Sequence, residues 1–75
     1  MPHYFFDVEH RGRRVRDELG MDLDALSFAM REAVSLLNLL AFESRSDQTP
    51  RMIRVTIREQ VTGSLHEIAL DCGRS

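Results

Sequence analysis

Apolar and polar residues alternate over residues 3–9, with Tyr4, Phe6 and Val8 on one side and Phe5, Asp7 and Glu9 on the other. Side chains of an extended strand point to its two faces in turn, so this stretch predicts a strand that presents Tyr4, Phe6 and Val8 to a core. His10-Arg11-Gly12-Arg13 predicts a turn, with Gly12 free to take a positive φ. Arg14 to Asp17 then reads as a short returning strand with Val15 inward. Its charged neighbours suit a sheet edge, where charge discourages stray pairing. Residues 3–17 are thus expected to form a first hairpin, and Glu18 to Leu23 a connector broken at Gly20.

From Asp24 the period changes. At about 100° per residue, Leu26, Ala29, Met30, Ala33, Leu36, Leu37, Leu40 and Ala41 share one broad face. Asp24, Ser27, Arg31, Ser35 and Asn38 form the opposite stripe. This predicts a helix over 24–43, with Asp24 capping its N-terminus or favouring its positive dipole end. Ala29 and Ala33 are small enough to let that helix sit close against a sheet. Ser44 to Pro50 reads as a polar loop.

Alternation returns from Met52 to Glu59, with Ile53, Val55 and Ile57 inward and Arg54, Thr56 and Arg58 outward, a β-branched pattern that favours a strand. Gln60 to Ser64 is the next turn, and Leu65 to Cys72 a last strand with Ile68 and Leu70 inward. Leu65 breaks that alternation, which predicts a bulge or a later strand start. Residues 52–72 are expected to form a second hairpin. The order ββαββ predicts an α+β fold: one domain over 1–75, with a four-stranded, mainly antiparallel sheet and one long helix packed on one face. The first strand and one strand of the second hairpin are expected at its centre, because the second strand is short and charged.

Composition changes this picture in one respect. A chain of 75 residues, 43% apolar and 29% charged, is globular in composition. Its single core sits near the lower limit of independent stability, and such domains usually add a disulfide, a metal or a partner subunit. The lone Cys72 excludes an internal disulfide. No apolar run is long enough to span a membrane, and Met1-Pro2-His3 opens without the basic and apolar regions of a secretion signal. A cytoplasmic location is expected. All ten basic residues are arginine, against twelve acidic residues and a net charge of −2. Arginine suits bidentate contacts to carboxylate or phosphate, although codon usage in a GC-rich genome has the same effect. The net charge weighs against generic nucleic-acid binding.

Candidate chemistry is sparse. His3, His10, His66 and Cys72 form no C-x-x-C, H-x-x-x-H or H-E-x-x-H arrangement. His66 and Cys72 would stand about 20 Å apart along a strand, which leaves only His3 with His66 as a conceivable metal pair. Asp17, Glu18, Asp22 and Asp24 cluster in the connector, where they are expected to be solvated and to serve caps and turns. The four glycines are isolated, so there is no phosphate-cradling loop. No metal, no cofactor and no enzymatic activity are expected.

Two binding surfaces suggest themselves. Phe28, Leu39 and Phe42 fall about 120–180° from the core face of the helix. Burying all three would contribute about 5–8 kcal/mol gross, which is comparable to the stability of a small domain. These residues are the candidate seam of a homodimer, or of contact with another small protein. The second surface is the sheet face left open by the helix, carrying Phe5, Asp7, Glu9, Arg54, Thr56, Arg58, Glu67 and Asp71. Phe5 with Arg54 and Arg58 mixes a stacking ring with guanidinium groups, and Arg11, Arg13 and Arg14 lie in the adjacent turn, as in binders of single-stranded nucleic acid. The bland alternative is a ladder of ion pairs with the carboxylates on the same face.

Met1-Pro2-His3-Tyr4-Phe5-Phe6-Asp7, then Asp17-Glu18-Leu19-Gly20 and Ala29-Met30-Arg31-Glu32-Ala33, resemble a family of short uncharacterised bacterial proteins. Its members open M-P-x-Y-F-F-D and continue with a D-x-x-G connector and an A-x-x-E-A helix. The likeness covers about residues 1–42 well and the second hairpin loosely. It implies a cytoplasmic bacterial domain, with no activity or ligand to carry over. A weaker likeness, of strand, strand and alanine-rich helix order, is to HicB-type antitoxins; it is an analogy of fold only, and places an antitoxin-like module beside nucleic-acid binding as the alternative reading.

Overall fold

The computed structural model describes residues 1–10, 12–44 and 52–71. Its elements are β1 (His3–His10), β2 (Arg13–Val15), β3 (Met21–Asp22), α1 (Leu26–Ser44), β4 (Met52–Glu59) and β5 (Leu65–Asp71). The sheet runs in the order β2-β1-β4-β5, with β3 paired to the other end of the β1 edge and every pairing antiparallel. β1 and β4 lie side by side in the middle, and α1 packs over β4 and β5. The architecture is the expected α+β sheet with one helix on one face.

Burial follows the alternation. Tyr4, Ile53, Val55 and Ile57 are buried, with Ile53, Val55 and Ile57 fully enclosed. Burying those last three contributes about 5–9 kcal/mol gross. Ala29 and Ala33 are fully buried beneath the helix, and Leu37 continues their line. The missing side-chain bulk at 29 and 33 brings the helix axis close to β4. Phe6, Val8, Leu23, Leu26, Leu36, Leu40, Ala41, Ile68 and Leu70 complete the core at its margins.

Five details depart from the expectations. The connector contributes a fifth short strand, β3, because His3 and Tyr4 at the start of β1 still have a free edge to pair with Asp22 and Met21. Val15 shares a face with its pair partner Val8 but is 63% exposed, since the helix does not reach across to β2. Met30 is likewise exposed, at the rim of the helix's apolar face. The helix begins at Leu26, and the amides of Phe28 and Ala29 donate to the Ala25 carbonyl, one residue beyond Asp24. Leu65 starts β5 without a bulge, pairs with Arg58 and lies exposed on the open face. Gly12 and Gly63 turn the two hairpins at positive φ, 74° and 73°. Arg11, Cys72 and residues 45–51, on which most of the expected polar loop falls, lie outside the described residues.

Candidate functional site

The open face is organised by pairings that bring distant residues together. Phe5 lies opposite Arg58, Asp7 opposite Thr56 and Glu9 opposite Arg54. The next strand adds Leu65, Glu67 and Ala69 beside Arg58, Thr56 and Arg54. Arg58 leans diagonally across the strands: its Nε donates to Asp7 Oδ2 at 2.7 Å and its NH2 group donates to Asp7 Oδ1 at 3.1 Å. The same NH2 group donates to the Asp17 carbonyl at 2.9 Å, and the guanidinium carbon lies 4.5 Å from the centre of the Phe5 ring. A bidentate, stacked and partly buried arginine is the arrangement in which an ion pair contributes most.

Asp17 closes the gap between β2 and β3. Its Oδ2 accepts from the Phe6 amide at 3.0 Å, while its own amide donates to Asp7 Oδ1 at 2.9 Å. Its Oδ1 accepts from the amides of Leu19 and Gly20, both at 3.1 Å, forming an Asx turn. The carboxylate thus serves the part of the β1 edge that neither flanking strand covers. Burial alone would push the Asp17 carboxyl up, but the three donated amides outweigh it and hold the group below the ordinary aspartate range. Asp7 is also held low, chiefly by the Arg58 hydrogen bonds, against the opposing effect of burial.

His3 ties the connector from the other side. Its Nδ1 meets Asp22 Oδ1 at 2.5 Å and its Nε2 meets the Leu19 carbonyl at 2.8 Å. Both partners are acceptors, so only the imidazolium satisfies both. Its pKa is raised accordingly, first by Asp22 and then by Leu19. The ring also packs edge-on against Phe5, centroids 4.9 Å apart. Asp22, His3, Phe5, Arg58, Asp7 and Asp17 therefore form one continuous chain of contacts.

Of the four connector carboxylates, Asp17 is half-buried and serves the β1 edge as well as a turn, Asp22 is exposed and binds His3, and Glu18 and Asp24 are exposed as expected. Arg54, another candidate for nucleic acid, lies between Glu9 at 3.2 Å and Glu67 at 2.6 Å. Arg14 stands 3.8 Å from Glu9 and is mostly solvent-exposed, as is Arg13, while Arg11 lies outside the described residues. The face therefore carries the ladder of ion pairs given above as the alternative, around a shallow depression of 230 Å³ that Thr56 also lines. His3 and His66 lie on opposite faces of the sheet, since His3 shares its side with Phe5 and His66 pairs with the inward Ile57. They cannot share a metal. Among the described residues, no group of three or more His, Cys, Asp or Glu side chains is placed to hold one.

On the helix, Phe28, Leu39 and Phe42 are 43%, 53% and 64% exposed, and the Arg31 guanidinium carbon lies 5.7 Å from the Phe28 ring centre. The structure adds an apolar cleft of 330 Å³ beside this line, between Phe6 and Met21 on the sheet and Leu36 and Leu39 on the helix. Periodicity could not reveal it, because Met21 comes from the connector. The D-x-x-G spacing, by contrast, did hold a readable signal: an aspartate followed by two amides and a glycine is the pattern of an Asx turn. Among the described residues no helix is long and apolar enough to cross a membrane.

Comparison with curated proteins and with solved structures finds no match. A family model matches residues 3–71, from the first residue of β1 to the last of β5. The Phe5-Phe6-Asp7 strand, the Asp17-to-Gly20 turn and the Arg58 anchor all lie within it, and the chain belongs to the family described as a domain of unknown function, DUF6894.

Proposed function

We propose that this chain is a non-enzymatic homodimeric interaction module of the bacterial cytoplasm, assembled through the exposed flank of α1 and serving a regulatory role. The observation that carries this reading is the line of Phe28, Leu39 and Phe42, each 43% exposed or more in a chain with a small core. The three residues span about 21 Å of helix. In an antiparallel pair of helices crossing at Ser35, Phe28 of one copy meets Phe42 of the other at both ends. Covering the exposed parts contributes about 2–4 kcal/mol gross per protomer, a large increment for so small a domain.

The non-enzymatic part of the reading rests on how the polar groups are used. Asp7, Asp17 and His3 are committed to backbone amides, Arg58 and Asp22. A nucleic-acid or antitoxin-like role receives less support, because Arg54 and Arg58 are matched by carboxylates and one face of Phe5 is covered by Arg58. The test is sedimentation of the wild type beside Phe28→Asp and Phe42→Asp. The expected result is an assembly that both substitutions reduce. Unchanged assembly in both variants refutes the helix seam. A salt-sensitive shift of a short labelled RNA, weakened by Arg54→Ala, would instead favour the nucleic-acid reading.

A further inference from the structure

The last strand is the longest open edge among the described residues. β5 pairs with β4 on one side, and no described strand pairs with the other. The opposite edge of the sheet is protected: β2 is three residues long and carries Arg13 and Arg14, and Asp17 and β3 cover the rest. Over Leu65–Ala69, by contrast, there is no proline, no lysine or arginine and no bulge, the usual devices that keep an edge from pairing.

The backbone phase of this edge is fixed. The Glu59 amide donates to the Ser64 carbonyl at 3.0 Å, which makes that pair a hydrogen-bonded one. Antiparallel ladders alternate, so His66, Ile68 and Leu70 bond to β4. Leu65, Glu67 and Ala69 therefore direct their amides and carbonyls away from the sheet. Self-pairing must join odd residues to odd residues.

We propose that the β5 edge binds a second copy of this chain, antiparallel and centred on Ile68, continuing the sheet across the two protomers. This register pairs the whole length of the strand, setting Glu67 against the partner's Ala69 and Ile68 against the partner's Ile68. Centring on Glu67 instead would place two like charges face to face. In the favoured register the partner's Glu67 falls in the row of Glu9, Arg54 and Ala69, opposite the small Ala69 and on the sheet face that carries Arg54. Charge and the length of the paired strand select the same alignment.

The inner face agrees. Val8, Val55 and Ile68 form one row across the sheet, and the pairing continues it with the partner's Ile68 and Val55. The helix flank with Leu36 and Leu39 faces β1 and β3, so Met30 and Val34, on its other side, lie toward β5. They are 38% and 46% exposed and stand where the partner's helix would approach. This surface is separate from Phe28, Leu39 and Phe42, so the inference does not depend on the helix seam.

The experiment is sedimentation of the wild type, Ala69→Pro and Ala69→Glu, with folding checked by circular dichroism. Proline at 69 removes an outward amide that β4 does not use. Glutamate at 69 opposes the partner's Glu67 twice across the two-fold and should weaken association about tenfold. With both interfaces in place, the wild type is larger than a dimer and Ala69→Pro and Phe42→Asp are each dimeric. If the helix seam is absent, the wild type is dimeric, Phe42→Asp leaves it so, and Ala69→Pro is monomeric. Hydrogen exchange should be slow at the Leu65, Glu67 and Ala69 amides in the wild type and fast in Ala69→Glu. A folded Ala69→Pro protein with the wild-type mass overturns the proposal, as does a wild type in which those amides exchange at once.

Discussion

Gly20 shows how closely one residue can be constrained. Its φ of +70° is a conformation that side chains disfavour. A Cβ there would press on His3 Nε2 and stand 2.8 Å from the Tyr4 carbonyl oxygen. Gly12 has a similar φ of +74° but open space around it. Gly20→Ala should therefore destabilise the fold by about 2–4 kcal/mol, and Gly12→Ala by about 1 kcal/mol, in urea melts. Equal costs would show that backbone strain alone matters and that the approach to His3 does not. The glycine was visible in the sequence as a breaker, but its second constraint depends on a histidine at the start of β1.

Among the elements, the connector is the least typical, because side chains do what a continuous edge strand does elsewhere. Asp17→Asn keeps one acceptor where the carboxylate serves three amides, and it should cost about 2 kcal/mol at neutral pH. The acid response has a definite sign. Asp7 and Asp17 have folded-state pKa values below their ordinary value of 3.8, so the unfolded chain binds more protons there. Their contribution is complete above about pH 5 and fades as the pH falls through 3.8 and below the folded-state values. Asp17→Asn should flatten that acid limb, measured as the urea midpoint against pH. His3 has the opposite sign: its raised pKa means that its contribution is present below 6.5 and disappears as the pH rises through the folded-state value. The strands and the helix themselves were legible from periodicity. The connector was not, since its order comes from Phe6, Asp7, His3 and Arg58, up to 41 residues away in sequence.

For the whole molecule, the central fact is a core too small for its apolar content. Phe28, Val34, Leu39 and Phe42 remain exposed although the sheet alternation is satisfied. If association covers part of this surface, the melting temperature must rise with protein concentration, because the folded state is stabilised by mass action. A calorimetric series over a hundredfold range should show this rise (about two decades of concentration act through a logarithm), and Phe42→Asp should reduce it. A midpoint independent of concentration would leave the chain a monomer.

The residue pattern alone determined the strand faces, the helix and its buried stripe, and the two glycine turns, because these follow from periods and dihedral preferences within a few neighbouring residues. It also marked Phe28, Leu39 and Phe42 as poorly placed for the core. Only the tertiary structure decided that Val15 and Met30 stay outside, that β3 exists, and that Arg58, Asp7 and Asp17 close on one another. Those outcomes depend on where the helix crosses the sheet and on contacts between distant segments. Local periodicity carries no information about either.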